Sequence, residues 1–192
     1  MRLKRIYKCL RQLLKFLRYK TQNKQVLVVD GKLLKVARLE RALTQRIKRG
    51  LGGLGWARRK RKLYSIHKEQ EIQIDEKVFG VLVMAIVNDE AKVIDIWFTS
   101  ARKHEVKALR QRLYHSGYLR KLFREGRVLG DKAYRGLKWV EVCERKEQKS
   151  IRQRVEGIFA RLKFLECNSG WRQLNTLLTY LTAVAVASYY PF

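Results

Sequence analysis

The stretch Val78-Phe-Gly-Val-Leu-Val-Met-Ala-Ile-Val87 is followed by Asn88-Asp89-Glu90 and then by Ala91-Lys-Val-Ile-Asp-Ile-Trp-Phe98. Two apolar runs rich in β-branched residues, joined by a short polar turn, predict an antiparallel β-hairpin. Glu105 to Tyr114 follows it with apolar residues at helical spacing, which predicts a helix packed on the hairpin. This hairpin is the clearest pair of strands in the sequence.

Further strands and helices surround the hairpin. Gln25-Val-Leu-Val-Val-Asp30-Gly31 predicts a buried strand that ends at Asp30, and Arg127-Val-Leu-Gly-Asp131 predicts a second short strand that ends in an aspartate. Helices are predicted over 2–20, 150–165 and 174–190, the segment 33–49 is compatible with a helix, and 136–148 is interpreted as helix and linker. The order strand, hairpin, helix, strand and helices indicates an α/β fold with a mixed sheet and flanking helices.

The charge of the chain is large and unevenly distributed. The 192 residues carry 44 Lys and Arg against 17 Asp and Glu, a net charge of +27, and 46% of the residues are hydrophobic, which excludes disorder of the whole chain. The first 66 residues hold 21 of the basic residues and only two acids. A polyanionic partner is expected. We divide the chain into a basic amphipathic appendage (1–24) and a main domain (25–192) that carries a basic insertion at about 33–66.

Two basic segments have two interpretations each. The helix from Arg2 to Lys20 either lies on nucleic acid, or less readily on an anionic membrane, or packs its apolar face on the core. The run Arg58-Arg59-Lys60-Arg61-Lys62 stands between Trp56 and Tyr64, so it either follows a phosphate backbone with aromatic support or forms a solvated loop. The uniform sign of the region favours phosphate contact for this run.

The cysteines and the apolar segments indicate a cytoplasmic protein. The three cysteines form no CxxC pair, so neither a disulfide framework nor a cysteine zinc site is expected. The N-terminal segment contains charges throughout its apolar stretch, unlike a secretory signal. The apolar segment 176–192 is short for a membrane span and is predicted to be a core helix. We expect no membrane association.

Three carboxylates are the candidate catalytic groups. Asp30 and Asp131 each close a predicted strand, where α/β sheets place functional groups, although either could simply start a turn. Glu156 lies on the edge of the apolar face of its helix, near Arg152 and Lys163, and its structural alternative is an ion pair with Arg152. Converging carboxylates suit Mg²⁺, and two such ions about 4 Å apart promote reactions at a phosphodiester.

The residues around these acids resemble a known family. Val28-Val-Asp30-Gly31, the hairpin with Thr99-Ser-Ala-Arg-Lys-His104-Glu-Val-Lys-Ala-Leu109, the segment Val128-Leu-Gly-Asp131-Lys-Ala-Tyr-Arg-Gly136, and Arg152-Gln-Arg-Val-Glu156 with Lys163 are together similar to the DDE transposases of prokaryotic insertion sequences. The resemblance implies a ribonuclease H-like fold and metal-dependent DNA strand cleavage and strand transfer at the ends of the element.

The same resemblance implies the roles of the site residues. Asp30, Asp131 and Glu156 would bind two Mg²⁺ or Mn²⁺ ions, and Arg152 and Lys163 would contact DNA near them. The protein would bind transposon ends and target DNA, as a homodimer when assembled on DNA, in the nucleoid-associated part of the cytoplasm.

Departures from the family pattern leave two alternatives. Only 24 residues separate Asp131 from Glu156, Lys149 occupies the position of the signature's tyrosine, and no strand is evident between the second and third acids. The first alternative is therefore a truncated, catalytically inactive transposase remnant that only binds DNA. The second is a basic RNA- or ribosome-associated protein whose acids are structural.

Overall fold

The computed structural model describes residues 2–20, 26–37, 55–65, 70–143, 153, 155–160 and 174–190. In chain order the elements are α1 (Arg2–Lys20), β1 (Val26–Ala37), β2 (Gly55–Ser65), β3 (Gln70–Asn88), β4 (Val93–Ser100), α2 (Glu105–His115), α3 (Gly117–Glu125), β5 (Arg127–Gly130), a 3₁₀ turn (Lys132–Tyr134), β6 (Glu141–Val142), α4 (helical residues 155–160) and α5 (Leu174–Ala187).

The six strands form one mixed sheet. The strand order across the sheet is β4-β3-β1-β5-β6. The pairs β4–β3 and β3–β1 are antiparallel, and the pairs β1–β5 and β5–β6 are parallel. The long strand β3 pairs with β2 over residues 70–80 and with β4 over residues 81–87. The predicted α/β class, with a mixed sheet and flanking helices, is confirmed.

The predicted hairpin is the pair β3–β4. Its turn is organised by the Asn88 side chain, whose Oδ1 accepts hydrogen bonds from the backbone N–H groups of Glu90 at 3.1 Å and Lys92 at 2.8 Å. Ala91 takes a positive φ of 62° to complete the turn. Asn88 is fully buried, so its side chain satisfies backbone donors that the tight turn leaves unpaired.

The first strand is longer than the sequence indicates. Asp30 was predicted to end it, but β1 continues to Ala37, so Asp30 lies inside the strand. The reason is the length of β3, which supplies antiparallel partners as far as Lys35 and, after an irregularity, Ala37. The possible helix over 33–49 is therefore wrong for 33–37, and its remainder lies outside the described residues.

Two other segments also form strands. The basic run 58–62 lies in β2, so its interpretation as a loop is wrong. The interpretation of 136–148 as helix and linker is wrong at Glu141–Val142, which pairs in parallel with β5 as the strand β6. A strand of two residues is too short to show an alternating pattern, which is why the sequence gives no signal for it.

The sheet has a hydrophobic core on each face. One core combines the sheet with α1, α4 and α5, and the other combines it with α2 and α3. Successive residues of β1 alternate between the two, since Val28 belongs to the first core and Leu27 and Val29 to the second. Both faces of the central strands are thus covered, as their continuous apolar sequence predicts.

Helix α1 has the predicted bounds and packs along α5. Leu14 is buried in the first core, and Leu10 and Leu17 pack against it. Ile6 and Phe16 remain about half exposed, at 48% and 56%. The apolar face of α1 therefore packs on the core in the region of Leu14, while binding of DNA by the basic appendage stays a prediction.

Candidate active site

Asp30 lies in β1, and Asp131 directly follows β5, the parallel neighbour of β1. The register of β1 and β5 places Val28 opposite Leu129, and each aspartate stands two residues further along its chain. Because side chains alternate along a strand, Asp30 faces the same core as Val28, the core that α4 and α5 cover. The pairing therefore brings the two acids together at one end of the parallel pair.

Each aspartate accepts a local backbone hydrogen bond. The Oδ1 of Asp30 accepts from the Gly31 N–H at 2.8 Å, and Asp30 is only 8% exposed. The Oδ1 of Asp131 accepts from the Ala133 N–H at 2.8 Å and caps the 3₁₀ turn. Asp131 therefore does start a turn, as one of its two interpretations predicted. This hydrogen bond uses Oδ1, so Oδ2 can make other contacts.

Tyr134 and Glu105 extend the site, and sequence reasoning did not select either of them. Tyr134 is fully buried, and its hydroxyl donates a hydrogen bond to Oε2 of Glu105 at 3.2 Å. Burial raises the pKa of the Tyr134 hydroxyl well above its usual range, and the negative charges of Glu105, Asp30 and Asp131 raise it further. Tyr134 therefore stays a neutral phenol and joins Glu105 to the turn that follows Asp131.

Glycine at position 31 makes room for Glu105. A Cβ atom on Gly31 would lie 2.8 Å from Cδ of Glu105 and 2.8 Å from Sδ of Met84. These separations are shorter than carbon contacts allow, so the absence of a side chain lets Glu105, at the first turn of α2, approach β1 at Gly31, on the sheet face opposite to that of the Asp30 side chain. The signal in the sequence was the Asp-Gly pair at 30–31, but only the tertiary contact shows what the glycine does.

Glu156 lies on α4 and is exposed. Its neighbours Val155, Ile158 and Phe159 are buried in the core that covers the face of Asp30. Across the described ranges, no group of three or more acidic, histidine or cysteine side chains is arranged to hold a metal ion. The described structure thus brings Asp30 and Asp131 together, but it does not assemble Glu156 with them. Arg152 and Lys163 lie outside the described residues.

The predicted basic run lies in β2, which forms a two-stranded antiparallel ribbon with the first half of β3. Arg58 and Lys60 are exposed on β2, opposite Lys77 and Asp75 of β3. The backbone of residues 59, 61 and 62 lies in the same strand, while their side chains are outside the described part. Lys77 also lies 5.0 Å above the ring of Trp56. The ribbon extends past β1, which pairs with β3 only from Phe79 onward.

No helix of the described residues is long and apolar enough to cross a membrane. This holds for α5, the most apolar of the helices, which is 14 residues long.

The strand order, the helices on both faces and the two acids, one in β1 and one directly after its parallel neighbour β5, define a ribonuclease H-like α/β domain. The chain belongs to the transposase DDE domain family, whose model matches residues 21–153, more than two thirds of the chain. The match includes Asp30 and Asp131 and ends before Glu156. No curated protein and no solved structure matches the chain significantly.

Membership in this family assigns the chain a role in DNA transposition. The family comprises enzymes of the polynucleotidyl-transferase type that act on DNA and generally use divalent metal ions.

Proposed function

We propose that this protein is a DDE transposase that cleaves DNA strands and transfers them at the ends of an insertion sequence. The observation that carries the proposal is the adjacency of Asp30, which lies in β1, and Asp131, which directly follows the parallel neighbouring strand β5. Several negative charges close to one another raise the energy of the folded protein unless a cation or solvent balances them. A divalent cation is the natural partner of such oxygen donors.

The donor set fits Mg²⁺ or Mn²⁺. Asp30 and Asp131 would hold the metal, with Glu156 as the third ligand contributed by α4. Two bound ions would supply activation of a water or 3′-hydroxyl and stabilisation of the leaving oxygen at a phosphodiester. Tyr134 stays protonated and donates to Glu105, so Glu105 and Tyr134 act as positioning residues that hold β1, α2 and the Asp131 turn in register.

The basic surface supports DNA as the substrate. A net charge of +27 favours a polyanionic backbone, whose binding releases counterions. We assign Arg152 and Lys163 to phosphates near the metal site. The run Arg58, Arg59, Lys60, Arg61 and Lys62 is assigned to the backbone further away, because a two-stranded ribbon fits a DNA groove. The protein would assemble as a homodimer on transposon ends and target DNA in the nucleoid-associated cytoplasm.

A second candidate is a catalytically inactive, truncated remnant that only binds DNA. It is favoured by the spacing of 24 residues between Asp131 and Glu156 and by a family match that ends before Glu156. In that case the basic surface would retain its role, while the third acid would no longer reach the other two.

Nicking of supercoiled plasmid in Mn²⁺ tests the choice. Wild-type protein is compared with Glu156→Gln and Asp131→Asn, and Glu125→Gln, which alters an exposed glutamate at the end of α3, is the matched control. We expect nicking by the wild type and the control and none by the two site variants. If all four proteins bind the plasmid and none nicks it, the catalytic proposal is wrong and the binding remnant replaces it.

A further inference from the structure

A basic pocket lies between α1, the end of α2 and the start of α3. It has a volume of about 410 Å³. Its charged and hydrogen-bonding lining includes Arg11, Lys15, Arg18, Arg112, His115 and Tyr118. No acidic side chain of the described residues lines this pocket, and neither do Asp30 and Asp131. The pocket is therefore distinct from the candidate active site.

Two of its arginines are held in place by one buried acid. Asp95 of β4 is 2% exposed and accepts hydrogen bonds from Arg18 Nη2 at 2.9 Å and from Arg112 Nε at 2.7 Å and Nη2 at 3.1 Å. The Arg112 guanidinium also lies 5.6 Å from the ring of Trp97. Because these contacts orient both guanidinium groups before a ligand binds, less free energy is spent on ordering their side chains during binding.

The charge of the pocket calls for an anion. Arg11, Lys15, Arg18 and Arg112 are four positive groups, and Asp95, which is reached through an adjoining cleft of about 230 Å³, balances one of them. The first turn of α3 carries no acidic residue, so the helix N-terminus adds partial positive charge. Guanidinium groups bind phosphate oxygens through paired N–H donors, which makes a phosphate the ligand of choice.

We propose that this pocket binds phosphate groups of the DNA backbone several nucleotides away from the bond at the active site. The proposal rests on DNA being the substrate. Asp95, which holds Arg18 and Arg112, pairs with Ile86 of β3, and Ile86 pairs with Val29 of β1, so Asp95 lies two strands, or about 10 Å, from the residue next to Asp30. This corresponds to roughly three nucleotide steps at about 3.4 Å per strand, so one DNA strand can reach both places.

The test changes two exposed pocket residues that do not contact Asp95. Arg11→Gln with Lys15→Gln is compared with Arg124→Gln with Lys121→Gln, which removes the same charge from exposed positions of α3 that do not line the pocket. Binding to a short DNA duplex of mixed sequence is measured over a range of salt concentrations. Each lost phosphate contact lowers the slope of log K against log salt by about 0.9.

We expect the pocket variant to lower the slope by about two and the control variant to leave it close to the wild type. Equal slopes for the two variants overturn the proposal. A thermal-shift titration with inorganic phosphate separates the sources of the anion. If phosphate stabilises the wild type but not the pocket variant while DNA binding is unchanged, the pocket is a site for free phosphate and the assignment to DNA is wrong.

The nicking assay keeps this proposal separate from the proposed function. If the pocket and control variants have equal salt slopes while nicking depends on Glu156, the pocket proposal is wrong and the transposase proposal stands. If the slopes differ but no protein nicks the plasmid, the pocket proposal is supported and the proposal of catalysis is wrong. Absence of DNA binding by the wild-type protein overturns both.

Discussion

Replacing Asp95 by asparagine removes the one carboxylate that joins α1, β4 and α2. In the wild type this side chain accepts three hydrogen bonds, of 2.7, 2.9 and 3.1 Å, from Arg18 and Arg112. Asparagine keeps the shape but has no charge, and its amide group would face guanidinium donors. Both arginines would then keep their charge without its balancing partner.

The cost follows from the burial of the three groups. Removing one partner of a fully buried ion pair costs about 3–5 kcal/mol. Arg18 and Arg112 are 16% and 27% exposed, so solvent compensates part of the loss. We therefore expect the free energy of unfolding to fall by about 2–4 kcal/mol. For a chain of this length that corresponds to a decrease in Tm of roughly 5–15 °C.

Urea denaturation followed by circular dichroism measures the change. Asp75→Asn alters an exposed aspartate on the β2–β3 ribbon and is the matched control, expected within about 0.5 kcal/mol of the wild type. A midpoint for Asp95→Asn equal to that of the control would refute the reasoning, because it would mean that solvent reaches the two guanidinium groups as readily as Asp95 does.

Two further predictions concern the candidate site. Tyr134 keeps its proton in the folded state above the pH at which an unfolded tyrosine loses it, so its contribution to stability is complete below about pH 10 and declines by about 1.4 kcal/mol per pH unit above it. In urea melts between about pH 9 and pH 11, Tyr134→Phe should make the fall in stability with pH less steep. Tyr114→Phe, at an exposed tyrosine, is the control, and equal pH dependence of the two variants would contradict the prediction. Gly31→Ala should push Glu105 away from β1, cost about 1–3 kcal/mol by overpacking and reduce nicking, whereas Gly157→Ala, where a Cβ meets nothing within 4 Å, should not destabilise the protein.

The hydrophobic periodicity of the sequence was sufficient to predict the hairpin, the N-terminal helix and two short strands. The hairpin around Asn88 and the N-terminal helix were predicted because each has a long run of apolar residues at one period. The bounds of α1 agree with the prediction at both ends. The strand that contains Asp30 and the strand that precedes Asp131 were also predicted, since short β-branched runs mark buried strands.

The features that were missed depend on contacts between distant segments. β1 runs past Asp30 because β3 is long enough to pair with it, and β6 exists only because β5 supplies its hydrogen bonds. Glu105 and Tyr134 are 29 residues apart, and their hydrogen bond forms only when the sheet brings the start of α2 to the turn after β5. No periodicity in either segment reports such a contact.

The position of Asp30 inside β1 has a consequence for the site. Asp30 is paired with Ala85 of β3, while the pairing of β1 with β5 ends two residues earlier, at Val28, so the antiparallel partner on one side limits the movement of the backbone at Asp30. A carboxylate that is 8% exposed in such a position costs folding free energy. The Gly31 N–H donates a hydrogen bond to its Oδ1 at 2.8 Å and helps to hold the carboxylate in place. Rigid placement of the acids is also what metal-assisted phosphodiester chemistry requires, because small displacements of the ligands greatly reduce the rate.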